Sequence, residues 1–334
     1  MTTVPMTAKS TAARKVGRTA VPRPKRPVKA GRLFTPWLLV VPALIWLVVF
    51  SLWPSINTVF LSFTDARPLS SDAAFIGTEN FRTLLADPQV WTALLNSVIY
   101  MAICLPVLTV VPLLLAVLVE KKLPGITFFR TAFYTPVIAS AVVVGLIWSW
   151  MLDDRGAING MAKSLGFVSE SIPFLTDRWL LLISAISLTI WKGLGYYMII
   201  YLAALGNIGK ELHEAAALDG AGAARRFWSV TMPGVRGTMI LVGILVCVSA
   251  LRVFSELFIL TNGTGGPGGE DNSLVMLIQQ YARGFSGNLG YASALSLLLF
   301  LVTLVPMLVL ARLNRSTSST ASSPRLMTAS PVSA

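Results

Sequence analysis

Charged residues are scarce in this chain, and that scarcity excludes an ordinary soluble domain. Of 334 residues only 13% are charged while 54% are hydrophobic, and the mean hydropathy is +0.71. Soluble domains carry about 25% charged residues. The net charge of +12 does not indicate nucleic-acid binding, because nine of the 27 Lys and Arg residues precede residue 33, in a stretch without any acid. The composition therefore favours a bundle of helices buried in lipid.

Cysteine and histidine are nearly absent. The two cysteines, Cys104 and Cys247, fall inside apolar runs and are too few for a disulfide framework or a metal site. His213 is the one histidine, which excludes an H-E-x-x-H zinc motif. The Gly209–Lys210 pair is followed by Glu211, so the chain has no G-x-x-x-x-G-K-[ST] loop for ATP. No catalytic residue, metal site or bound cofactor is predicted on this chain.

Long apolar segments dominate what remains. Each is longer than the ~20 residues that a helix needs to cross ~30 Å of hydrocarbon. We therefore predict an all-α membrane domain over residues 32–313, between a disordered basic tail at 1–31 and a disordered tail at 314–334. The Gly-rich loop at 261–272 is predicted to be irregular. The six apolar segments lie near 34–60, 92–119, 130–152, 179–204, 237–260 and 290–312.

The basic residues are distributed unevenly between the two sides of the predicted bundle. The two tails and the loops at 120–130 and 205–236 together hold 19 Lys and Arg residues, whereas the intervening loops hold six. Basic residues accumulate on the cytoplasmic side of membrane proteins. We therefore expect both termini and the 205–236 loop to be cytoplasmic.

The polar 205–236 stretch has a helical pattern of its own. Its apolar residues recur at helical spacing in two runs, which Gly220 and Gly222 separate, and Pro233 is predicted to stop the second run. The prediction is two short amphipathic helices joined at a glycine bend, with an apolar edge for a partner. The plainer alternative is a hairpin that packs only on its own bundle. The runs are Ile208, Leu212, Ala215 and Ala216, then Ala224, Phe227, Trp228 and Thr231.

Polar and aromatic residues inside the apolar segments are candidates for a solute pathway. A central lysine costs about 2.5 to 3.5 kcal/mol on insertion, so Lys192 should face a cavity or a partner. Tyr196 lies one turn further on the same face. Arg252 and Glu256, also one turn apart, could instead neutralise each other, and the other candidates could be helix contacts. The candidates are Asn96, Tyr100, Lys192, Tyr196, Tyr197, Arg252 and Glu256.

The 205–236 loop also carries a family resemblance. "EAAALDGA", with Val230, Met232 and Pro233 following Gly220 at the expected distance, resembles the EAA signature of permease subunits in bacterial ATP-binding-cassette importers. That signature reads E-A-A, a Gly after three residues, and I-x-L-P after nine more. Val230 for Ile and Met232 for Leu are conservative departures. "WKGLGYYMIIYLAALGNI", "LRVFSELFILTNGTGGPGG" and "LGYASALSLLLF" resemble the maltose-type, carbohydrate-importing branch, and the likeness covers roughly residues 34–312.

The resemblance implies a fold, a location and partners. The fold is a MetI-like bundle of six spans in the bacterial inner membrane, and the solute is a di- or oligosaccharide. The partners are a second permease subunit, two copies of a cytoplasmic ATPase that holds ATP and Mg, and an extracytoplasmic solute-binding protein. The bilayer surrounds the chain, which itself catalyses no covalent step. The residues implied to dock on the ATPase are Glu214, Ala215, Ala216, Asp219, Gly220, Phe227, Trp228 and Pro233.

Alternative transport functions can be considered for the same residues. The basic Lys192 and Arg252 keep importers of glycerol phosphate or another small solute open. A secondary transporter would need no ATPase and would typically show internal repeats, and no convincing repeat is present. A channel would show a ring of acids or a filter loop, which Glu256 alone does not make.

Overall fold

The apolar segments fold into helices, as their length and composition dictate. A computed structural model describes residues 31–70, 72–120, 124–283 and 287–321. Of the predicted disordered tails, residues 1–30 and 322–334 lie outside the described residues, whereas α14 continues to Ala321, past the predicted tail start at 314. Within these ranges the α-helices are α1 Gly31–Leu47, α2 Trp53–Leu61, α3 Glu79–Ala86, α4 Pro88–Glu120, α5 Ile126–Ile138, α6 Ala141–Leu152, α7 Ala157–Ser164, α8 Arg178–Leu205, α9 Lys210–Leu218, α10 Ala223–Arg226, α11 Met232–Leu251, α12 Ser255–Leu260, α13 Leu274–Ala282 and α14 Leu289–Ala321.

The described chain divides into two compact units at Pro54, and its β structure is confined to one isolated bridge, Thr64 to Phe75. The fold is all-α, as predicted. Five helical stretches among the described residues are long and apolar enough to cross a membrane, and a sixth crossing is possible if one bent pair counts as a span. The five are Leu38–Leu61, Pro88–Glu120, Arg178–Leu205, Ala223–Leu260 and Leu289–Arg312.

The third predicted span, 130–152, is not one helix. Ala139 and Ser140 adopt extended backbone conformations, and the helical pieces on either side are bent by 99°. The two pieces pack against different helices: α5 packs on α8, and α6 packs on α12. Hydrophobicity along the segment is continuous, so these tertiary contacts, and not a sequence signal, place the break.

The fifth predicted span, 237–260, is also corrected. The helix begins earlier, because α11 starts at Met232 and continues without a gap from Ala223 through Phe227–Thr231. It ends at Leu251 and resumes as the short α12 after a break at Arg252–Phe254. A backbone carbonyl freed inside a membrane must find another donor. The Ser273 hydroxyl donates to the Val253 carbonyl at 2.6 Å. This hydrogen bond supports the break.

Two prolines are accommodated by wide turns in the helices that contain them. A five-residue π-turn, Val48–Leu52, lies just before Pro54, and another, Phe227–Thr231, lies just before Pro233. Proline clashes with the carbonyl four residues earlier, and both of those carbonyls belong to the π-turns, which displaces them. The prediction that Pro233 stops the second hairpin helix is therefore wrong, because the helix continues through it into α11.

The largest core cluster lies where α4, α8 and α11 meet. Tyr100 and Tyr201 are completely buried there, and the Tyr201 hydroxyl donates to the Thr109 carbonyl at 2.9 Å. A second cluster joins α3, the start of α4, α13 and α14. There the Tyr291 hydroxyl donates to the Asp87 carboxylate at 2.8 Å. Hydrogen-bonded aromatic side chains thus tie helices together in both clusters.

Close packing of α5 on α8 depends on a glycine. A Cβ at Gly195 would lie 1.9 Å from the Phe133 carbonyl oxygen, a backbone atom that cannot move aside alone. We expect Gly195→Ala to lower the free energy of unfolding by about 1–3 kcal/mol, the usual effect of overpacking. Thermal unfolding of the purified protein measures this. Gly160→Ala is the matched control, since nothing lies within 4 Å of its Cβ position; equal melting of the two variants would contradict the packing argument.

Candidate functional site

An open cavity of about 240 Å³ lies between α4, α8, α11 and α12. Four of the predicted pathway residues, Lys192, Tyr196, Tyr197 and Glu256, line it. Sequence reasoning missed the other contributors, because small residues and hydroxyls inside an apolar run carry no pattern that distinguishes a cavity wall from a helix contact. Those contributors include Cys104, Thr189, Gly193, Val246, Ser249 and Ala250.

The cavity wall carries groups suited to binding a polar solute without covalent chemistry. Tyr196 and Tyr197 form an edge-to-face pair with ring centroids 5.1 Å apart, and Thr189 and Ser249 add hydroxyls. Lys192 and Glu256 face the same space, but no ion pair joins them among the described residues. A cation and an anion that are not paired with each other remain available to a third group. The expectation that Lys192 faces a cavity is therefore confirmed.

Arg252 lies on the other side of α11. Successive residues turn by about 100° around a helix, so Val248 and Arg252 face away from the α11 residues that line the cavity. Arg252 contributes instead to a groove between α11 and α14. The interpretation that Arg252 and Glu256 neutralise each other is not supported, because the helix breaks between them and they line different spaces. An arginine within a membrane span is costly unless it is paired.

The other two candidates hold the structure together. The Asn96 side-chain amide donates to the carbonyls of Glu270 and Asn272, at 2.6 and 3.1 Å, and so ties α4 to the Gly-rich loop. The Tyr100 hydroxyl donates to the Ala185 carbonyl at 2.8 Å. Neither side chain lines the cavity, and the solute site proposed below leaves both out.

The 205–236 stretch forms the predicted hairpin. The helix α9 ends at Leu218, and Gly220 follows with φ of 76°, a conformation that L-residues with a side chain rarely adopt. The amide of Gly220 donates to the Ala217 carbonyl and that of Ala221 to the Ala216 carbonyl. These paired bonds are the Schellman ending of a helix, which favours glycine at this position. The glycine bend is therefore required by backbone geometry.

The hairpin presents an exposed apolar and charged surface. The side chain of Trp228 is 66% exposed to solvent. Leu212 and Leu218 are also exposed, at 57% and 90%. Leu212 belongs to the predicted apolar edge, whereas sequence reasoning missed Leu218 because it lies outside that run of residues at helical spacing. Phe227 points inward and packs against the core, which differs from its predicted role beside Trp228. The remaining predicted docking residues Glu214, Ala215, Asp219, Gly220 and Pro233 are exposed, and Ala216 is half-buried.

The hairpin and the cavity share their helices. Lys192, Tyr196 and Tyr197 belong to α8. Four residues separate the end of α8 from the start of α9. On the other side, the helix runs from Ala223 through the π-turn into α11 without interruption. At the base, the Ile208 side chain fills the space where Gly234 would carry a Cβ. A displacement of the hairpin can therefore reach the cavity wall along the continuous helix from Ala223 to Leu251, whereas four residues separate α9 from α8.

A buried carboxyl group lies in the Gly-rich loop between α12 and α13. Asp271 is fully buried, and neither of its carboxyl oxygens has a hydrogen-bond partner among the described residues. Gly266, with φ of 75°, leaves space that a Cβ would take, 2.4 Å from one of these oxygens. Burial raises the pKa of Asp271 from 3.8 to about 7, an effect that the nearby Arg178 opposes. The loop is irregular, as predicted. It also encloses an acid, which the sequence did not predict.

Fold and site together define a multi-pass, all-helical membrane transport subunit. Residues 84–319 match the protein family described as "Binding-protein-dependent transport system inner membrane component". The chain belongs to this family. It is accordingly the permease subunit of an ATP-binding-cassette importer, a transport component and not an enzyme, and an inner-membrane protein with several spans.

Named relatives and a solved structure agree with this family. The chain is 33% identical over 262 residues to the lactose transport system permease protein LacF of Rhizobium radiobacter, covering 78% of this chain and 87% of LacF. It is 30% identical to the arabinooligosaccharides transport system permease protein AraP of Halalkalibacterium halodurans, covering 80% and 86%. The fold resembles a chain of a bacterial ABC transporter involved in the import of the acidic polysaccharide alginate, with a TM-score of 0.73, 25% identity, and coverage of 86% and 96%.

The buried Asp271 predicts a pH-dependent stability. Its carboxyl group binds a proton more tightly in the folded than in the unfolded chain. The stability it contributes is therefore full below about pH 4 and is lost as the pH rises through about 7. Asp271→Asn, which mimics the protonated acid, should melt higher than the wild type at about pH 8, and by less at about pH 5.

Thermal unfolding of the solubilised protein at the two pH values measures the effect. Glu170→Gln is the control, because Glu170 is exposed in the loop between α7 and α8 and its replacement should leave the pH dependence unchanged. Melting curves of Asp271→Asn that shift with pH in parallel with the wild type would contradict the assignment.

Proposed function

We propose that this chain forms half of the membrane pore of an ATP-driven importer for a di- or oligosaccharide. Relatives at or above 30% identity are named for lactose and arabinooligosaccharide transport, which supports a carbohydrate. The proposed partners are a second permease subunit, two ATPase subunits that hold ATP and Mg, and a solute-binding protein outside. The excess of basic residues on one side supports cytoplasmic termini and a cytoplasmic hairpin.

The shared helices of hairpin and cavity are the observation that carries this proposal. The hairpin offers Trp228, Leu212 and Leu218 as apolar anchors, which suit a partner's groove, and Glu214 and Asp219 as carboxylates for basic residues of that partner. When the ATPase subunits close, they move the docked hairpin. Because α11 continues from the hairpin into the cavity wall, and only four residues join α8 to α9, this movement changes the side from which the cavity is open. The chain alternates access in this way and makes or breaks no covalent bond.

The cavity recognises the solute by faces and hydrogen bonds. The Tyr196 and Tyr197 rings offer apolar faces to a sugar ring, and the hydroxyls of Thr189 and Ser249 exchange hydrogen bonds with its hydroxyl groups. Lys192 donates and Glu256 accepts, so the pair suits a neutral solute that carries both donors and acceptors. A phosphorylated solute such as glycerol phosphate would gain from Lys192 but would be repelled by Glu256. This balance favours the uncharged sugar.

The hairpin proposal predicts the effect of two substitutions. Glu214→Lys reverses the charge offered to the ATPase, and Gly220→Asp forces a side chain onto a left-handed backbone conformation. Each should leave insertion into the membrane intact but abolish both co-purification of the ATPase and sugar uptake. Uptake of a radiolabelled sugar panel and pull-down of the complex measure the two effects.

The control for the glycine substitution lies two residues away. Gly222 has φ of −66° and nothing within 4 Å of its Cβ position, so Gly222→Ala should retain both uptake and assembly. Normal transport by Glu214→Lys or Gly220→Asp would count against docking through this hairpin.

The cavity proposal predicts a separate effect for Lys192. Lys192→Ala removes a charged donor, and losing such a hydrogen bond should weaken the apparent affinity for sugar by about tenfold to a hundredfold. Assembly with the ATPase should be preserved, and Lys192→Arg should restore part of the affinity. Concentration-dependent uptake measures this, and unchanged kinetics in Lys192→Ala would assign Lys192 a structural role.

A further inference from the structure

An apolar groove of about 470 Å³ runs between α11 and α14, on the opposite side of α11 from the solute cavity. Its walls are mostly hydrophobic, with Ser296 and Thr303 as the neutral polar residues and Arg252 as the charged one. Phe300, on its edge, is 60% exposed. Other residues of the wall include Val248, Leu299, Leu304 and Met307.

The groove runs along the apolar candidate span Leu289–Arg312. From the start of α14 at Leu289, a rise of 1.5 Å per residue places Ser296 about 10 Å and Met307 about 27 Å along the span. Arg252 is exposed to this groove, and within the described ranges no carboxylate pairs with it. A charge at that depth requires an opposite charge or water. The chain by itself supplies no counter-charge for it.

We propose that the groove receives a transmembrane helix of a second, non-identical permease subunit, and that an Asp or Glu on this helix pairs with Arg252. The inference rests on the proposed function, in which two permease subunits form the pore, and adds the surface and the chemistry by which they recognise each other. The apolar walls match a helix that is otherwise hydrophobic. A guanidinium in this setting prefers a carboxylate, to which it donates two parallel hydrogen bonds.

A second copy of this chain does not fit. In a twofold dimer the same patch packs against itself, and the groove contains no acid that could meet Arg252 from the other copy. The described acid nearest in sequence, Glu256, lines the cavity on the other side of α11. Two copies would therefore bury two unpaired arginines. The charge thus selects against self-association as well as for a partner.

A lipid or the solute fits less well. Lipid phosphates lie at the boundary of a hydrocarbon layer about 30 Å thick, whereas the groove extends into the middle of α14. A sugar would lose hydrogen bonds to water against walls that offer one Ser and one Thr. The solute cavity, with its tyrosines and with both Lys192 and Glu256, offers what the groove lacks.

Photo-crosslinking in the intact transporter tests the proposal. Phe300 is replaced by the photoreactive residue p-benzoylphenylalanine, and the full complex is irradiated in native membranes. We expect an adduct with a different polypeptide, whose crosslinked peptide is apolar and contains an Asp or Glu. The adduct should fall more than about tenfold in Arg252→Glu, because reversing one member of a buried charge pair is strongly unfavourable, and should persist in Arg252→Lys. Leu118, which is 67% exposed on α4 outside the groove, carries the same probe as the control.

The outcomes separate the proposals. An adduct with a second copy of this chain, or with lipid alone, overturns the groove inference. So does an adduct that excess lactose or an arabinan oligosaccharide suppresses but Arg252→Glu does not, since the groove would then bind the solute. In each of these cases, ATPase-dependent uptake that still responds to Glu214→Lys leaves the proposed function standing.

Discussion

The unbroken helix from Ala223 to Leu251 is the feature on which the rest of the structure depends. A π-turn lets it pass Pro233 without a break, so the hairpin and the cavity wall belong to one rigid element. Helix is the stiffest connection that a single chain can make across a bilayer, because each backbone group is paired within it. A loop at Phe227–Thr231 would absorb a displacement of the hairpin. The wide turn transmits it.

The break at Arg252–Phe254 and the Gly-rich loop that follows α12 are each supported by a side chain from elsewhere. The Val253 carbonyl is bonded by the Ser273 hydroxyl, and the carbonyls of Glu270 and Asn272 are bonded by Asn96. Irregular backbone at membrane depth persists where protein covers it. The proposed transport cycle uses both features: the continuous helix on the hairpin side would act as the lever, and the supported breaks on the loop side would shape the solute cavity.

The sequence predicted the spans and the hairpin because local rules govern them. Length and hydrophobicity specify a helix in lipid, and Gly220 specifies the bend by its left-handed backbone conformation. The sequence did not predict the bend at Ala139, which follows from contacts of Gly195 and Gly145 with distant residues. It also placed Arg252 and Glu256 on one face, since a spacing of four implies contact only along an unbroken helix. Leu218 was missed because it lies outside the run of apolar residues at helical spacing, and only the structure shows that it is exposed beside that run.

The two sides of α11 face different sets of charges, and this difference bears on how α11 can move. One side forms the cavity with Lys192 and Glu256, and the other presents Arg252 to the groove along α14. Both sides belong to α11, which continues directly from the hairpin. In the proposed mechanism, rotation of α11 that opens the cavity also repositions Arg252 relative to the partner's carboxylate. The attraction between two charges falls with distance and is strong in a low-dielectric setting, so the proposed pair would stabilise one position of α11 over the others, as a two-state alternating-access cycle requires.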